Sequence, residues 1–290
     1  MSSLSIWFQA ARPKTLWVSV APVVMGGALA YRHTYTIGWP VLVALLCAIL
    51  IQIGTNLAND YFDFIKGGDT PARLGPTRAT QAGLISPTAM RNAFVSCFVL
   101  AVVLGFSLVI RGGWPIVLVG VLSVAAGIAY TGGPYPLAYL GLGDLFVLIF
   151  FGPVAVAGTY YVEALSYSGR AVIAGLIPGL IAVGILAVNN LRDIDEDRST
   201  GKRTLAVRLG PRSVRIEYTA ALFLSVFFFT MLLPKADFIN GLLLGLLLGV
   251  AYFMSRQIWH RSGRDLNPML GHTAQFLILA TVFFLITQLV

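Results

Sequence analysis

Long apolar runs separated by shorter polar stretches organise the whole chain. Nine of these runs are each long enough to cross a membrane as a helix, because about 20 apolar residues at about 1.5 Å per residue span the hydrocarbon core. The runs cover roughly residues 15–31, 39–58, 92–110, 114–131, 142–162, 171–190, 217–233, 238–256 and 269–289. The pattern predicts an all-α polytopic membrane protein with nine transmembrane helices.

The composition supports a membrane protein and argues against the soluble classes. Of the 290 residues, 57% are hydrophobic and 11% are charged, whereas soluble domains carry about 25% charged residues. The apolar runs are continuous, so they do not fit the alternating strands of about ten residues that build a membrane β-barrel. The first run follows Arg12-Pro13-Lys14 and is expected to stay in the membrane rather than be cleaved as a signal.

We predict one domain over residues 1–290. Two long polar stretches, at about 59–91 and 191–216, separate spans but lack the Pro- and Ser-rich composition of a linker. Similar acidic motifs follow the second and the sixth span, which suggests a repeat of residues 1–135 and 136–260 followed by a ninth helix.

The distribution of lysine and arginine predicts the orientation in the membrane. With the N-terminus in the cytoplasm, sixteen of the twenty basic side chains fall on the cytoplasmic side, as the positive-inside rule requires. The opposite side keeps only Arg32, Arg111, Arg170 and Lys235, and an odd number of spans places the C-terminus there. The net charge of +8 is thereby explained by topology, and we expect no nucleic-acid partner.

The acidic residues gather in two motifs at the cytoplasmic ends of two spans. Asp60, Asp63 and Asp69 follow the second span, and a group from Asp193 to Asp197 follows the sixth. An asparagine precedes the first aspartate of each motif by four residues, at Asn56 and Asn189. Residues four apart share a helix face, so each motif predicts a polar stripe.

Two carboxylate stripes that meet would repel each other unless a cation lies between them. Carboxylate and amide oxygens, without His or Cys, favour Mg²⁺, which binds through one or two carboxylates together with substrate phosphates. Two such stripes with Mg²⁺ would clamp a diphosphate, and Arg73, Arg78, Lys202 and Arg203 lie nearby in the sequence to bind its oxygens.

Two other interpretations compete with this clamp. A single D-x-x-D at a helix end is most often only a solvated or salt-bridged face. Paired Asn/Asp motifs are also found in cation transporters, although transporter sites lie near the bilayer midplane, whereas these motifs lie at the membrane–cytoplasm edge.

The two motifs resemble those of the UbiA superfamily of intramembrane aromatic prenyltransferases. The family's N-D-x-x-D motif with a later aspartate is matched by Asn59, Asp60, Asp63 and Asp69. Its D-x-x-x-D motif followed by Gly-Lys and Thr is matched by Asp193, Asp197, Gly201, Lys202 and Thr204. The resemblance extends along nearly the whole chain. It implies nine transmembrane helices around a central cavity with cytoplasmic cap loops, and an isoprenyl diphosphate bound through Mg²⁺.

The acceptor is suggested by two longer segments. Residues 67–78 and 189–210 resemble the branch that prenylates 1,4-dihydroxy-2-naphthoate. The 4-hydroxybenzoate branch tends to carry a basic pair after Tyr-Pro, but Tyr135-Pro136 is followed by Leu137-Ala138; that acceptor is kept as the alternative. The resemblance implies transfer of a polyprenyl group with loss of CO₂ and diphosphate, giving demethylmenaquinone, in the cytoplasmic (inner) membrane of a bacterium.

The resemblance also implies roles for individual residues. The predicted catalytic residues are Asp60, Asp63, Asp193, Asp197, Lys202 and Arg78. The predicted metal ligands are Asp60, Asp63, Asp69, Asp193 and Asp197. The predicted substrate-binding residues are Asn56, Asn59, Arg73, Asn189, Asn190, Arg203, Tyr130, Tyr135 and Tyr139. The tyrosines would face an allylic cation, although aromatic side chains at this depth also form the ordinary interfacial belt.

Small residues in three spans predict close helix packing. They are Gly26-Gly27, Gly175-x-x-x-Gly179 and the series Gly241, Gly245 and Gly249. Glycine lets two helix backbones approach each other within a membrane.

Overall fold

The computed structural model describes residues 2–34, 36–68, 74–235 and 237–289. Asp69 and Arg73, both predicted site residues, therefore lie outside the described residues. The helices are α1 (Ser3–Ala11), α2 (Pro13–Thr34), α3 (Trp39–Ile65), α4 (Pro87–Gly112), α5 (Trp114–Ala129), α6 (Gly143–Ile149), α7 (Ala155–Ala164), α8 (Gly169–Arg192), α9 (Ile194–Ser199), α10 (Leu205–Met231), α11 (Phe238–Trp259) and α12 (Asn267–Leu289).

The all-α membrane architecture is confirmed, with one difference in the spans. Within the described ranges, eight helical segments are long and apolar enough to cross a bilayer. The fourth predicted span corresponds to α5, which has only 16 residues and is about 24 Å long. Helices α6 and α7 together form one of the eight segments, Gly143–Ala164.

Local sequence signals define where the helices begin. Ser86, Ser168, Thr204 and Asp237 cap four helices, each accepting a hydrogen bond from the backbone N–H three residues on. Such caps satisfy an N–H group that has no partner within the helix. Proline within the first two positions of α3, α4 and α5 fits because its missing N–H is not needed there.

The α6–α7 segment bends where it crosses α8. Residues Phe150–Val154 form a π-helical turn, in which Gly152 has φ −117° and ψ −113°. A Cβ on Gly152 would lie 2.8 Å from the carbonyl oxygen of Gly175 and 3.2 Å from the Cα of Gly179. The predicted packing role of the α8 glycines is confirmed, because two backbones touch there.

Gly26 confirms the packing prediction in α2, but the glycines of α11 do not. A Cβ on Gly26 would lie 2.5 Å from the carbonyl oxygen of Val156. Beside Gly241, Gly245 and Gly249, a Cβ would meet no described atom within 4 Å. The prediction was wrong for α11, because this helix packs inward through another face, which includes Leu247 and Ile258.

The largest buried cluster joins α2, α8, α10, α11 and α12. Its fully buried side chains include Met25, Ile177, Tyr218, Leu247 and Phe276. This packing fixes the end of α8, where the second acidic motif begins, against the start of α12. The suggested repeat of residues 1–135 and 136–260 stays a prediction.

Candidate active site

One large cavity lies between the helices and is polar at one end. Its volume is about 1740 Å³, and both acidic motifs contribute to its wall through Asp63, Asp193 and Asp197. Asp63 belongs to the last turn of α3, and Asp193 is the C-cap of α8. Two segments that are far apart in sequence therefore present carboxylates to the same space.

The rest of the cavity is lined by apolar side chains. Its wall includes Ile51 of α3, Phe106 of α4, Val117 of α5 and Phe150 of the π-helical turn. It reaches Ala44, twelve residues or about 18 Å along α3 from Asn56. A molecule with an anionic or strongly polar head and a long hydrocarbon tail would match this division.

Asp63 is surrounded by donors from three separate segments. Arg78 Nη2 lies 3.0 Å from its Oδ2, and Lys202 Nζ lies 3.1 Å from its Oδ1. The Tyr139 hydroxyl donates to the same Oδ1 at 3.3 Å. Asp63 itself is 1% exposed, so the two cationic side chains offset the cost of burying its charge.

Asp60 has a different environment from Asp63. Its Oδ2 accepts the backbone N–H of Ala79 at 3.0 Å, and its Oδ1 accepts that of Thr80 at 3.0 Å. Both carboxylate oxygens thus hold the segment before α4; we call residues 74–86 the cap loop. The role of Asp60 as a metal ligand stays a prediction.

The asparagines of the first motif connect α3 to neighbouring segments. Asn56 donates to the carbonyl oxygen of Ala11 at 2.9 Å and to Thr15 Oγ1 at 3.2 Å, which fastens the corner between α1 and α2. Asn59 accepts from the hydroxyl of Thr131 at 2.7 Å. Both asparagines also line the cavity.

Arg192 organises the second motif and was missed by the sequence analysis. It donates to both carboxylate oxygens of Asp193, at 2.7 and 2.6 Å, and to Asn189 Oδ1 at 2.7 Å. It also donates to Asn267 Oδ1 at 3.0 Å, and Asn267 donates to the carbonyl oxygen of Leu74 at 3.2 Å. The side chain of Arg192 is 0% exposed. The sequence signal that could have identified Arg192 is an arginine directly before an aspartate at the end of an apolar span.

Asp197 lines the cavity one helical turn beyond Asp193. Burial raises the pKa of its carboxyl to about 7, while the nearby Lys202 acts in the opposite direction. The backbone N–H of Lys202 donates to the carbonyl oxygen of Asp197 at 2.9 Å. An additional cation at this position would be favourable, because it would stabilise a carboxylate that burial makes costly.

Tyr139 lies beneath two lysines. Lys66 Nζ and Lys202 Nζ are each 5.3 Å from the centre of its ring, which is within the range of a cation–π interaction. Lys66 also donates to the carbonyl oxygens of Thr131 and Gly133, at 2.8 and 2.9 Å. Burial lowers the pKa of Lys66. The sequence analysis did not select Lys66.

Of the remaining predicted residues, some line the cavity and others lie on the surface. Tyr130, Asn189 and Asn190 line the cavity. Tyr135 is 76% exposed and Arg203 is also exposed, so the described structure does not bring either side chain to the cavity wall. The backbone of Arg203 still donates to the carbonyl oxygen of Tyr139 at 3.1 Å.

The donor set of the cavity fits a hard divalent cation. Asp63, Asp193 and Asp197 offer carboxylate oxygens, and Asn59 and Asn189 offer amide oxygens, which are ligand types that suit Mg²⁺. Among the described residues, no three His, Cys, Asp or Glu side chains already form a group that could hold a metal ion. Arginine and lysine side chains lie beside Asp63 and Asp193 where a cation would bind.

These features define a membrane-embedded site for a molecule with a polyanionic head and an apolar tail. The chain belongs to the UbiA prenyltransferase family, whose model matches residues 19–286.

Two curated relatives and one solved structure illustrate the membership. The chain is 40% identical over 221 residues to a 1,4-dihydroxy-2-naphthoate octaprenyltransferase of Escherichia coli, covering 74% of this chain and 72% of the relative. It is 38% identical over 275 residues to the enzyme of the same name from Mycobacterium tuberculosis, covering 94% and 93%. A UbiA homologue from Archaeoglobus fulgidus, solved with GPP and Mg²⁺, has the same fold, with a TM-score of 0.68, 14% identity and 98% coverage of both chains.

Proposed function

We propose that this protein transfers a polyprenyl group from a polyprenyl diphosphate to 1,4-dihydroxy-2-naphthoate in menaquinone biosynthesis. The reaction releases CO₂ and diphosphate and gives demethylmenaquinol, the hydroquinone form of demethylmenaquinone. The observation that carries the proposal is the meeting of both acidic motifs, with Arg78 and Lys202, at the polar end of the large apolar cavity. The names of relatives that share 34–40% identity support the choice of acceptor.

Mg²⁺ would be held at the polar end by Asp63, Asp193 and Asp197, with Asp60 and Asp69 as further predicted ligands. When bound, the ion would withdraw charge from the diphosphate and make it a better leaving group. The fit rests on the oxygen-only donor set and on the buried carboxylates that line one cavity.

Arg78 and Lys202 would bind the diphosphate as it leaves. Both now contact Asp63, at 3.0 and 3.1 Å, and their positions are fixed by that contact. Preorganised cations stabilise charge that grows on departing oxygens without needing to reorganise during the reaction. Arg73 and Arg203 stay predictions for the same role.

The acceptor needs no strong base at the carbon that is prenylated. The bond between C1 of the prenyl chain and the diphosphate oxygen breaks, and the oxygen keeps the electron pair. The ring carbon that carries the carboxylate forms the new bond to C1. The bond to CO₂ then breaks, and its electron pair restores the aromatic ring. Tyr130, which lines the cavity, would face the cationic centre.

The direct test is a reconstituted reaction. Purified protein in detergent with Mg²⁺, a polyprenyl diphosphate and dihydroxynaphthoate should release diphosphate and form demethylmenaquinol in equal amounts. 4-Hydroxybenzoate should react far more slowly. Equal rates with both acceptors would remove the naphthoate assignment, and full activity after chelation of divalent metal would remove the metal role.

We also propose the cytoplasmic (inner) membrane as the location, with the N-terminus and the acidic motifs in the cytoplasm. The basic side chains counted above support this orientation. Single-cysteine labelling in intact cells tests it. A cysteine at exposed Ser199 should resist a membrane-impermeant reagent, and one at exposed Tyr167 should react.

A further inference from the structure

A second, smaller pocket lies at the end of the bundle opposite the acidic motifs. It has a volume of about 400 Å³, and its wall includes Arg32, His33, Tyr160, Ser168 and Arg170. Ser168 caps the start of α8 and Asp193 caps its end, with the 24 residues of the helix between them. At about 1.5 Å per residue the two sites are about 36 Å apart, so they lie at opposite membrane surfaces.

Two guanidinium groups converge in this pocket on one neutral side chain. Arg32 Nη1 and Arg170 Nη2 both donate to Gln288 Oε1, at 3.4 and 3.3 Å. Arg170 Nη2 also donates to the carbonyl oxygen of Leu232 at 2.6 Å. Within the described residues neither arginine has a carboxylate partner, and the wall of the pocket contains no Asp or Glu. Two like charges held on one neutral oxygen repel each other.

Further groups in the same pocket also favour an anion. The N-terminus of α8, a helix of 24 residues, contributes partial positive charge and backbone N–H groups. The Tyr160 hydroxyl and His33 Nδ1 are 3.1 Å apart and add polar groups beside the arginines. Leu29, Leu233 and Pro234 complete the wall with apolar surface.

From this convergence we propose that the pocket binds a phosphate group, either free or as the headgroup of an anionic phospholipid. Arginine binds phosphate oxygens through paired N–H groups. An anion between Arg32 and Arg170 would offset their repulsion. It would also hold the C-terminal ends of α2 and α12 against the N-terminal end of α8. The apolar part of the wall suits the glycerol portion of a lipid. The pocket is separate from the transfer site, and the proposal does not depend on that reaction.

Binding is tested on the full-length protein in a neutral detergent at constant ionic strength. The probes are potassium phosphate, and mixed micelles with phosphatidylglycerol or with zwitterionic phosphatidylcholine. Thermal unfolding and equilibrium binding are measured for each. A ligand that binds only the folded protein raises its unfolding temperature. A rise with phosphatidylglycerol alone identifies a lipid headgroup, and a rise with potassium phosphate identifies free phosphate.

Three variants make the test specific. Arg32→Gln with Arg170→Gln should weaken binding by at least about tenfold. Gln288→Glu should also abolish the rise, because a carboxylate would neutralise both arginines from within, and its unfolding temperature without ligand should not fall. Lys235→Gln removes an exposed charge from the same end of the bundle and should behave like the wild type.

Two results would overturn the proposal. One is the absence of any rise in the wild type with both phosphate and phosphatidylglycerol. The other is an equal rise in the wild type, the arginine double variant, Gln288→Glu and Lys235→Gln, since this would show binding that does not involve the pocket. Circular dichroism establishes that each variant is folded before the comparison is made.

Discussion

The two acidic motifs share the Asn-x-x-x-Asp spacing, yet their first aspartates have different partners. Asp60 accepts hydrogen bonds from two backbone N–H groups of the cap loop, whereas Asp193 accepts hydrogen bonds from Nε and Nη2 of Arg192. The second aspartates differ as well: Asp63 contacts two cationic side chains, and Asp197 is a buried carboxyl with a raised pKa. The same spacing therefore places chemically different carboxylates around one cavity.

Loss of the Asp63 charge should have the largest effect. Asp63→Asn removes the buried carboxylate that contacts both Arg78 and Lys202, which should lower the unfolding free energy by about 3 kcal/mol. It should lower the rate of prenyl transfer by at least about 10³-fold, because a proposed metal ligand is lost and the side chains of Arg78 and Lys202 lose the contact that positions them. Diphosphate release and thermal unfolding measure the two effects.

A matched control for Asp63 is available in the second motif. Asp195 has a side chain that is 92% exposed and lies 3.7 Å from Arg198. Asp195→Asn should leave both rate and stability unchanged, because exposed ion pairs contribute little. Equal losses for Asp63→Asn and Asp195→Asn would contradict a special role for the buried carboxylate.

Removal of Arg192 should have the next largest effect. Arg192→Gln leaves Asp193 buried without its partner, so we expect about 3 kcal/mol lower stability. We also expect a rate lower by about 10²-fold, because the carboxylate loses its fixed orientation. Arg198→Gln, which removes a side chain that is 61% exposed, is the control. An unchanged rate in Arg192→Gln would show that other contacts orient Asp193.

A smaller effect from Asp60 would distinguish its two possible roles. Asp60→Asn places a side-chain amide N–H opposite the backbone N–H of Ala79 or Thr80. The lost hydrogen bond should lower the unfolding free energy by about 1–3 kcal/mol and loosen the cap loop. Limited proteolysis near Ala79 should then become faster, with a rate of transfer about tenfold lower. If the concentration of Mg²⁺ needed for half-maximal activity also rises strongly, Asp60 is a metal ligand; if it does not change, the residue acts on the loop.

The smallest effect is expected at Tyr139. Tyr139→Phe removes the hydroxyl 3.3 Å from Asp63 and keeps the ring beneath Lys66 and Lys202, so transfer should slow by about two- to tenfold. Tyr135→Phe, at a side chain that is 76% exposed, should have no measurable effect in the same assay. A larger loss of transfer rate in Tyr135→Phe than in Tyr139→Phe would contradict the placement of Tyr139, rather than Tyr135, beside the site.

The helices could be predicted from the sequence because membrane solvation imposes a long apolar run on each span. The short α5 could not be recognised, since hydropathy reports apolar length and not where a helix ends. The glycines of α11 show a related limit. Their spacing is that of a packing motif, but which face of α11 turns inward depends on neighbours such as α10 and α12.

The carboxylates of the site could also be predicted, because their residue types and spacing carry the chemistry. The cations around them could be predicted only in part. Arg192 and Lys66 reach the site through contacts with Asn267, Thr131 and Gly133, which lie 65 to 75 residues away in the sequence. Such distant partners are set by the tertiary fold, so the only local signal was the position of Arg192 beside Asp193 at the end of an apolar span.

The close fit of Gly75 against Arg192 leaves room at residue 75 for a hydrogen atom and nothing larger. A Cβ at this position would lie 2.6 Å from Arg192 Nη2 and 3.0 Å from its Cζ. A side chain at residue 75 would therefore displace either the loop or the Arg192 guanidinium, which is hydrogen-bonded to Asp193 and Asn189. Glycine at this point lets the loop close over the second acidic motif without disturbing that pair.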